Sequence, residues 1–140
     1  MISNKIAQIA IKASESKAEE IGIAITTVIA DNHGTVIAMS RMDEAFVISP
    51  DFAFQKAYTS ATLGLSTEDM SKYSLPGKPY YGILNVSPGK ISIIGGGLPV
   101  LAGKKILGGV GVGGASDTSN DVLCAREAVK AIQVALKSHE

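Results

Sequence analysis

Lys90-Ile91-Ser92-Ile93-Ile94-Gly95-Gly96-Gly97-Leu98-Pro99-Val100-Leu101-Ala102-Gly103-Lys104-Lys105-Ile106-Leu107-Gly108-Gly109-Val110-Gly111-Val112 is the stretch on which the fold turns. Its apolar runs at Lys90 to Ile94, Leu98 to Leu101 and Lys105 to Val112 read as three short strands. The breaks between them, Gly95-Gly96-Gly97 and Ala102-Gly103-Lys104, are too short to hold a crossover helix, so the three strands form an antiparallel meander.

Upstream, the β-branched run Ile23 to Ala30 enters the turn cluster Asp31-Asn32-His33-Gly34, and Thr35 to Ser40 resumes strand character, which makes a second hairpin. Helices frame both sheet regions. Ile2, Ile6, Ile9, Ala10, Ala13 and Ile21 recur at helical spacing up to a stop at Gly22. Ser49-Pro50-Asp51 reads as a cap, a first-turn proline and a favourable charge ahead of a helix running to about Leu63. Ser66 caps another helical turn or two. From about Asn120 the series Val122, Ala125, Val129, Ile132 and Leu136 closes the chain, widened by the small residues Cys124, Ala128, Ala131 and Ala135. The order α-β-β-α-α-β-β-β-α, with its hairpins, excludes an all-parallel sheet. It predicts an α+β fold in which helices pack on a five-stranded antiparallel sheet.

The chain of 140 residues fits one domain spanning 1–140. Its 13 basic residues balance 13 acidic ones with no like-charge run longer than two, so it carries no electrostatic footprint for nucleic acid or an anionic membrane. No apolar stretch reaches bilayer length and the start lacks the pattern of a secretory signal, which together point to a cytoplasmic protein. Cys124 is the sole cysteine and the two histidines are His33, in a turn, and His139, so neither a zinc site nor a Ser-His triad is expected.

Gly109, Gly111 and Gly114 match the spacing GxGxxG, but the helix after them is the final element and no acidic residue lies about twenty positions on. Close helix-to-sheet packing, without a nucleotide, is the reading that follows. Gly97 to Lys105 is one residue too long for a phosphate loop, with Lys105 where the hydroxyl should be.

Three features stand out as candidate site chemistry. Lys17 sits at a helical angle inside the apolar stripe of Ile6, Ala10, Ala13 and Ile21, where it either snorkels or meets a ligand or a subunit. Lys56 falls between Phe52, Thr59 and Leu63, opposite the Phe54, Ala57 and Ala61 face, so this helix is apolar on two sides. The sheet covers one side, and Phe52 and Leu63 are offered to another copy. Arg41-Met42-Asp43-Glu44-Ala45 follows a strand end, where polar groups commonly line sites. With Lys56 and the irregular, Pro- and Gly-rich loop around Tyr80 and Tyr81, Arg41 and Asp43 are expected to line one pocket. An enzyme acting on a small carboxylate or hydroxy acid would use Arg41 as the clamp and Asp43 or Lys56 as acid or base.

Val28-Ile29-Ala30-Asp31 with Gly34, Arg41 to Ala45, Lys56-Ala57-Tyr58-Thr59, Gly95-Gly96-Gly97-Leu98-Pro99, Gly108 to Gly114 and Asp121 together resemble the GlcG/HbpS family, which also supplies the C-terminal domain of PduO-type proteins. The likeness spans nearly the whole chain and is nearest to OrfY-type members encoded beside glycerol and diol dehydratase genes. It implies a profilin-like fold with helices on both faces of the sheet, homo-oligomers, and a non-catalytic accessory or sensory role in binding haem or a related tetrapyrrole. An enzyme of glycolate, glycerol or diol catabolism and a structural partner of a catabolic complex stay open beside it. Among the glycine segments, Gly96 and Gly113 join the ligand-binding positions. Two departures from the family pattern are visible. Lys17 stands where haem-binding relatives carry a histidine, and Gly111-Val112-Gly113-Gly114 stands where they read Gly-Val-Ser-Gly.

Overall fold

A computed structural model describes residues 1–138, so His139 lies outside the described residues. In chain order the elements are α1 (Asn4–Ile21), β1 (Thr26–Asp31), β2 (Val36–Arg41), α2 (Ser49–Leu63), α3 (Thr67–Tyr73), β3 (Gly97–Ala102), β4 (Lys105–Gly113) and α4 (Thr118–Ser138). The ends of α1 follow from its sequence. Ser3 Oγ accepts the Ile6 N–H at 3.1 Å, and Gly22 stops the helix in the left-handed conformation at φ 76°.

The four strands form one antiparallel sheet in the order β2-β1-β4-β3. Because strand side chains alternate, β1 divides its residues between two cores. Ile29 joins Val110 and Val112 of β4 under α1 and α4, while Val28 and Ala30 face Ala53, Ala57 and Ala61 of α2. Helices therefore cover both faces.

What seats α2 is the glycine alternation of β4. A Cβ at Gly109 would lie 2.6 Å from the Ala57 carbonyl and 2.7 Å from the Ala61 nitrogen, and one at Gly113 would lie 2.8 Å from Phe52 Cβ. Gly111 faces the backbone of Ala53 and Ala57 in the same way. Two strand residues advance about 6.6 Å and four helix residues about 6.0 Å, so bare strand positions and helical turns stay in step. The first two glycines of the GxGxxG spacing thus reflect close packing of α2 on the sheet, whereas Gly114, at φ 131°, lies against the backbone of Ala24 and Ile25.

Two expectations are corrected. Lys90 to Ile94 is not a fifth strand, because Gly96, at φ 126°, turns the chain across the end of β4 before the β3–β4 ladder begins at Gly97. The backbone N–H of Ser92 is then satisfied by Thr59 Oγ1 of α2 at 2.8 Å, and Ile91 packs with Met70 and Ile83 in a small separate core. Ser49 is not a cap either. Its hydroxyl donates to the Phe46 carbonyl at 2.6 Å and meets the buried Thr26 hydroxyl at 2.8 Å, joining α2 to β1, while Pro50 and Asp51 occupy the first turn as expected.

Candidate functional site

At the end of β4 nearest α4, α2 presents Lys56 inward. Its side chain is only 2% exposed, and Nζ donates to the Val112 carbonyl at 2.8 Å and to Asp121 Oδ2 at 3.3 Å. Asp121 lies in the first turn of α4, where the helix dipole favours an anion, and its other oxygen accepts the Ala115 N–H at 3.1 Å. The pair clasps α2, β4 and α4 together. Burial pushes the Lys56 ammonium below the ordinary lysine value, against the Asp121 charge and hydrogen bond that hold it up. Burial likewise pushes the Asp121 carboxyl above the ordinary carboxylate value, against Lys56 and the Ala115 N–H. Both shifts favour the neutral forms, so the proton affinities of the two groups approach one another.

Above the pair opens a cleft of about 190 Å³, smaller than the usual small-ligand pocket, so it takes in a small molecule or the edge of a larger ring. Phe46, Ile48, Phe52 and Ile94 form apolar walls. Ser49 and Thr118 add hydroxyls, and the backbone of Gly114 and Ala115 completes the lining. The Phe52 ring centroid is 5.7 Å from Lys56 Nζ, a cation–π distance. A Cβ at Gly96 would approach Nζ to 2.9 Å and Asp121 Cβ to 3.0 Å, so only glycine leaves the pair its room.

The structure thus brings Lys56, Phe52 and Gly96 together, with Gly113 directly behind Phe52. It does not bring Arg41, Asp43, Tyr80 or Tyr81 into this cleft. Arg41 ends the edge strand β2, is exposed, and donates to the Ala45 carbonyl at 3.3 Å, with Asp43 exposed beside it. Tyr80 and Tyr81 are exposed on the long loop. The single pocket expected of Arg41, Asp43, Lys56 and these tyrosines does not form, because Lys56 turns under the end of β4 toward α4. Lys17 lies outside the cleft as well, on α1, with Nζ 3.5 Å from Glu20. Leu63 is 40% exposed, well along α2 from the cleft.

The residue that sequence reasoning passed over as a site is Asp121. Its signal was available, since Asp121, Cys124, Ala128 and Ile132 form one fully buried stripe of α4 with a carboxylate at its start.

The family described as haem degrading protein HbpS-like matches residues 2–130. The chain belongs to the HbpS-like family. This HbpS-like chain is 38% identical over 118 residues to a 15.0 kDa Citrobacter freundii protein encoded in the dhaT-dhaS intergenic region, covering 84% of this chain and 82% of that one. Among solved structures it is similar to Klebsiella pneumoniae protein ORFY, with a TM-score of 0.89 and 35% identity over 94% of this chain and 90% of that one. It is also similar to the PduOC:haem complex, with a TM-score of 0.85 and 27% identity over 91% of each chain. Of the segments that carried the resemblance, those holding Lys56, Gly96, Gly113, Gly114 and Asp121 converge on the cleft. The segment holding Val28 serves the core.

Proposed function

We propose that this protein binds haem or a related tetrapyrrole in the Lys56–Asp121 cleft, as a non-catalytic, oligomeric accessory or sensory member of its family. The observation that carries the reading is the row of apolar walls, Phe46, Ile48, Phe52 and Ile94, suited to a flat apolar ring, in a chain whose fold matches a haem complex.

The fit is to the ring and not to the iron. Among the described residues no imidazole lines the cleft, and the amine there, Lys56, spends two N–H groups on Val112 and Asp121. Lys17, where the family resemblance places a histidine, lies beside Glu20, and an ammonium has no lone pair for a metal. Affinity in this reading comes from ring burial, and no chemical step runs through iron.

A cleft of this size leaves part of such a ring in water. Phe46, Val47 and Ile48, at 62%, 91% and 55% exposure, form an apolar rim beside it, and a second copy of the chain seated there would cover the ring and meet Phe52. Leu63 is a further contact of this proposed interface.

Haemin titration followed by the Soret band tests the reading. The wild-type protein should show saturable but weak binding, Phe52→Ala in the cleft wall should weaken it further, and Lys17→His, outside the cleft, should leave it unchanged. Absence of a saturable change in wild type removes the proposal, and binding left unaltered by Phe52→Ala shows that the ring is held elsewhere.

A further inference from the structure

We propose that Lys56 is a carbonyl-capturing amine whose Nζ condenses in the cleft with a small apolar aldehyde, with Asp121 carrying the proton. The inference stands apart from the tetrapyrrole reading, because it is read on the protein without haem.

The geometry supplies each part. Lys56 Nζ uses one N–H on Val112 and one on Asp121, which leaves its remaining valence for the cleft. Gly96 lacks the Cβ that would stand 2.9 Å from that nitrogen. The walls above it are hydrocarbon. Among the described residues no arginine lines the cleft, and a carboxylate ligand would set a second negative charge beside Asp121, so an uncharged carbonyl compound fits where an acid does not. Burial moves the amine and the carboxyl toward proton exchange, the arrangement that activates a buried lysine as a nucleophile.

The reaction balances with no outside reagent. Asp121 Oδ2, 3.3 Å from Nζ, takes a proton from the ammonium. The freed lone pair forms a C–N bond to the carbonyl carbon, the C=O π pair moves to oxygen, and a proton passes from nitrogen to that oxygen to give a carbinolamine. Asp121 then returns its proton to the hydroxyl, the C–O bond breaks, water leaves, and a protonated imine remains. The product keeps a positive nitrogen opposite the Asp121 carboxylate, so capture never leaves that buried charge without a partner.

The test is reductive trapping of the full chain with butanal and cyanoborohydride at neutral pH, followed by peptide mapping. Lys56 should carry the butyl group ahead of exposed lysines such as Lys72, and the preference should vanish in urea. Asp121→Asn should slow labelling of Lys56 by about 100-fold, the usual scale for loss of a general acid–base group. Butyl groups spread over surface lysines with Lys56 unmodified would overturn the proposal, as would a preference for Lys56 that persists in urea. Because the wild-type map decides the matter, the proposal does not depend on Asp121→Asn folding well.

Discussion

Lys56 and Asp121 show how a buried charge can be both a fastening and a site. With side chains 2% exposed, neither can be removed alone without stranding the other in an apolar surround. Lys56→Met should therefore cost about 3–5 kcal/mol in urea unfolding, whereas Lys56→Met with Asp121→Leu should cost clearly less than the two single changes added together. Additive costs would show that the two groups do not depend on each other. The Lys56→Met penalty should also shrink as pH falls toward 3.8, the ordinary carboxylate value. Without Lys56, burial holds the folded carboxyl above that value, so the fold prefers the protonated form, and the associated stability is present at low pH and lost as pH rises. The sequence pointed to Lys56 because its helical angle set a cation between apolar residues. The same logic picked out Lys17, whose side chain is 27% exposed, since an angle on a helical wheel does not say whether the edge of a stripe is covered.

At the scale of elements, the contact between α2 and β4 is the most demanding in the fold, because helix backbone lies directly on glycine. Gly109→Ala would drive a methyl group into the Ala57 carbonyl and the Ala61 nitrogen, and should destabilise the protein by about 1–3 kcal/mol or more. Gly82→Ala, with open space around it and an unstrained backbone, should stay within about 0.5 kcal/mol. Equal tolerance in thermal melts at both positions would contradict this packing. Most elements were legible from glycine punctuation and from apolar period. Lys90 to Ile94 was not, since a short apolar run carries no mark of whether its backbone partner is a strand or the Thr59 hydroxyl. The glycines were legible as close helix-to-sheet packing, but the sequence did not say which helix, and the chain uses α2.

At the scale of the whole molecule, helices on both faces of the four-stranded sheet bring three distant segments of chain to one end of β4, and the cleft exists only where they meet. That convergence is why Arg41 and Asp43 looked like site residues in the sequence. Strand ends gather charges, but which end joins which helix is a property of the assembled sheet. Among the described residues no helix is long and apolar enough to cross a membrane. The exposed run Phe46 to Ile48 is the rim on which a second copy is proposed to sit, so Val47→Asp should lower the sedimenting mass without loss of helical signal. Wild-type protein that sediments as a monomer at micromolar concentration would contradict association through this rim. The most direct test of the account is the methyl spectrum of the protein titrated with diamagnetic zinc protoporphyrin, whose ring current reports position. Upfield shifts concentrated on the methyl groups of Ile48 and Ile94 are the predicted result, and shifts confined to Ile9 and Val134 in the groove between α1 and α4 would contradict it.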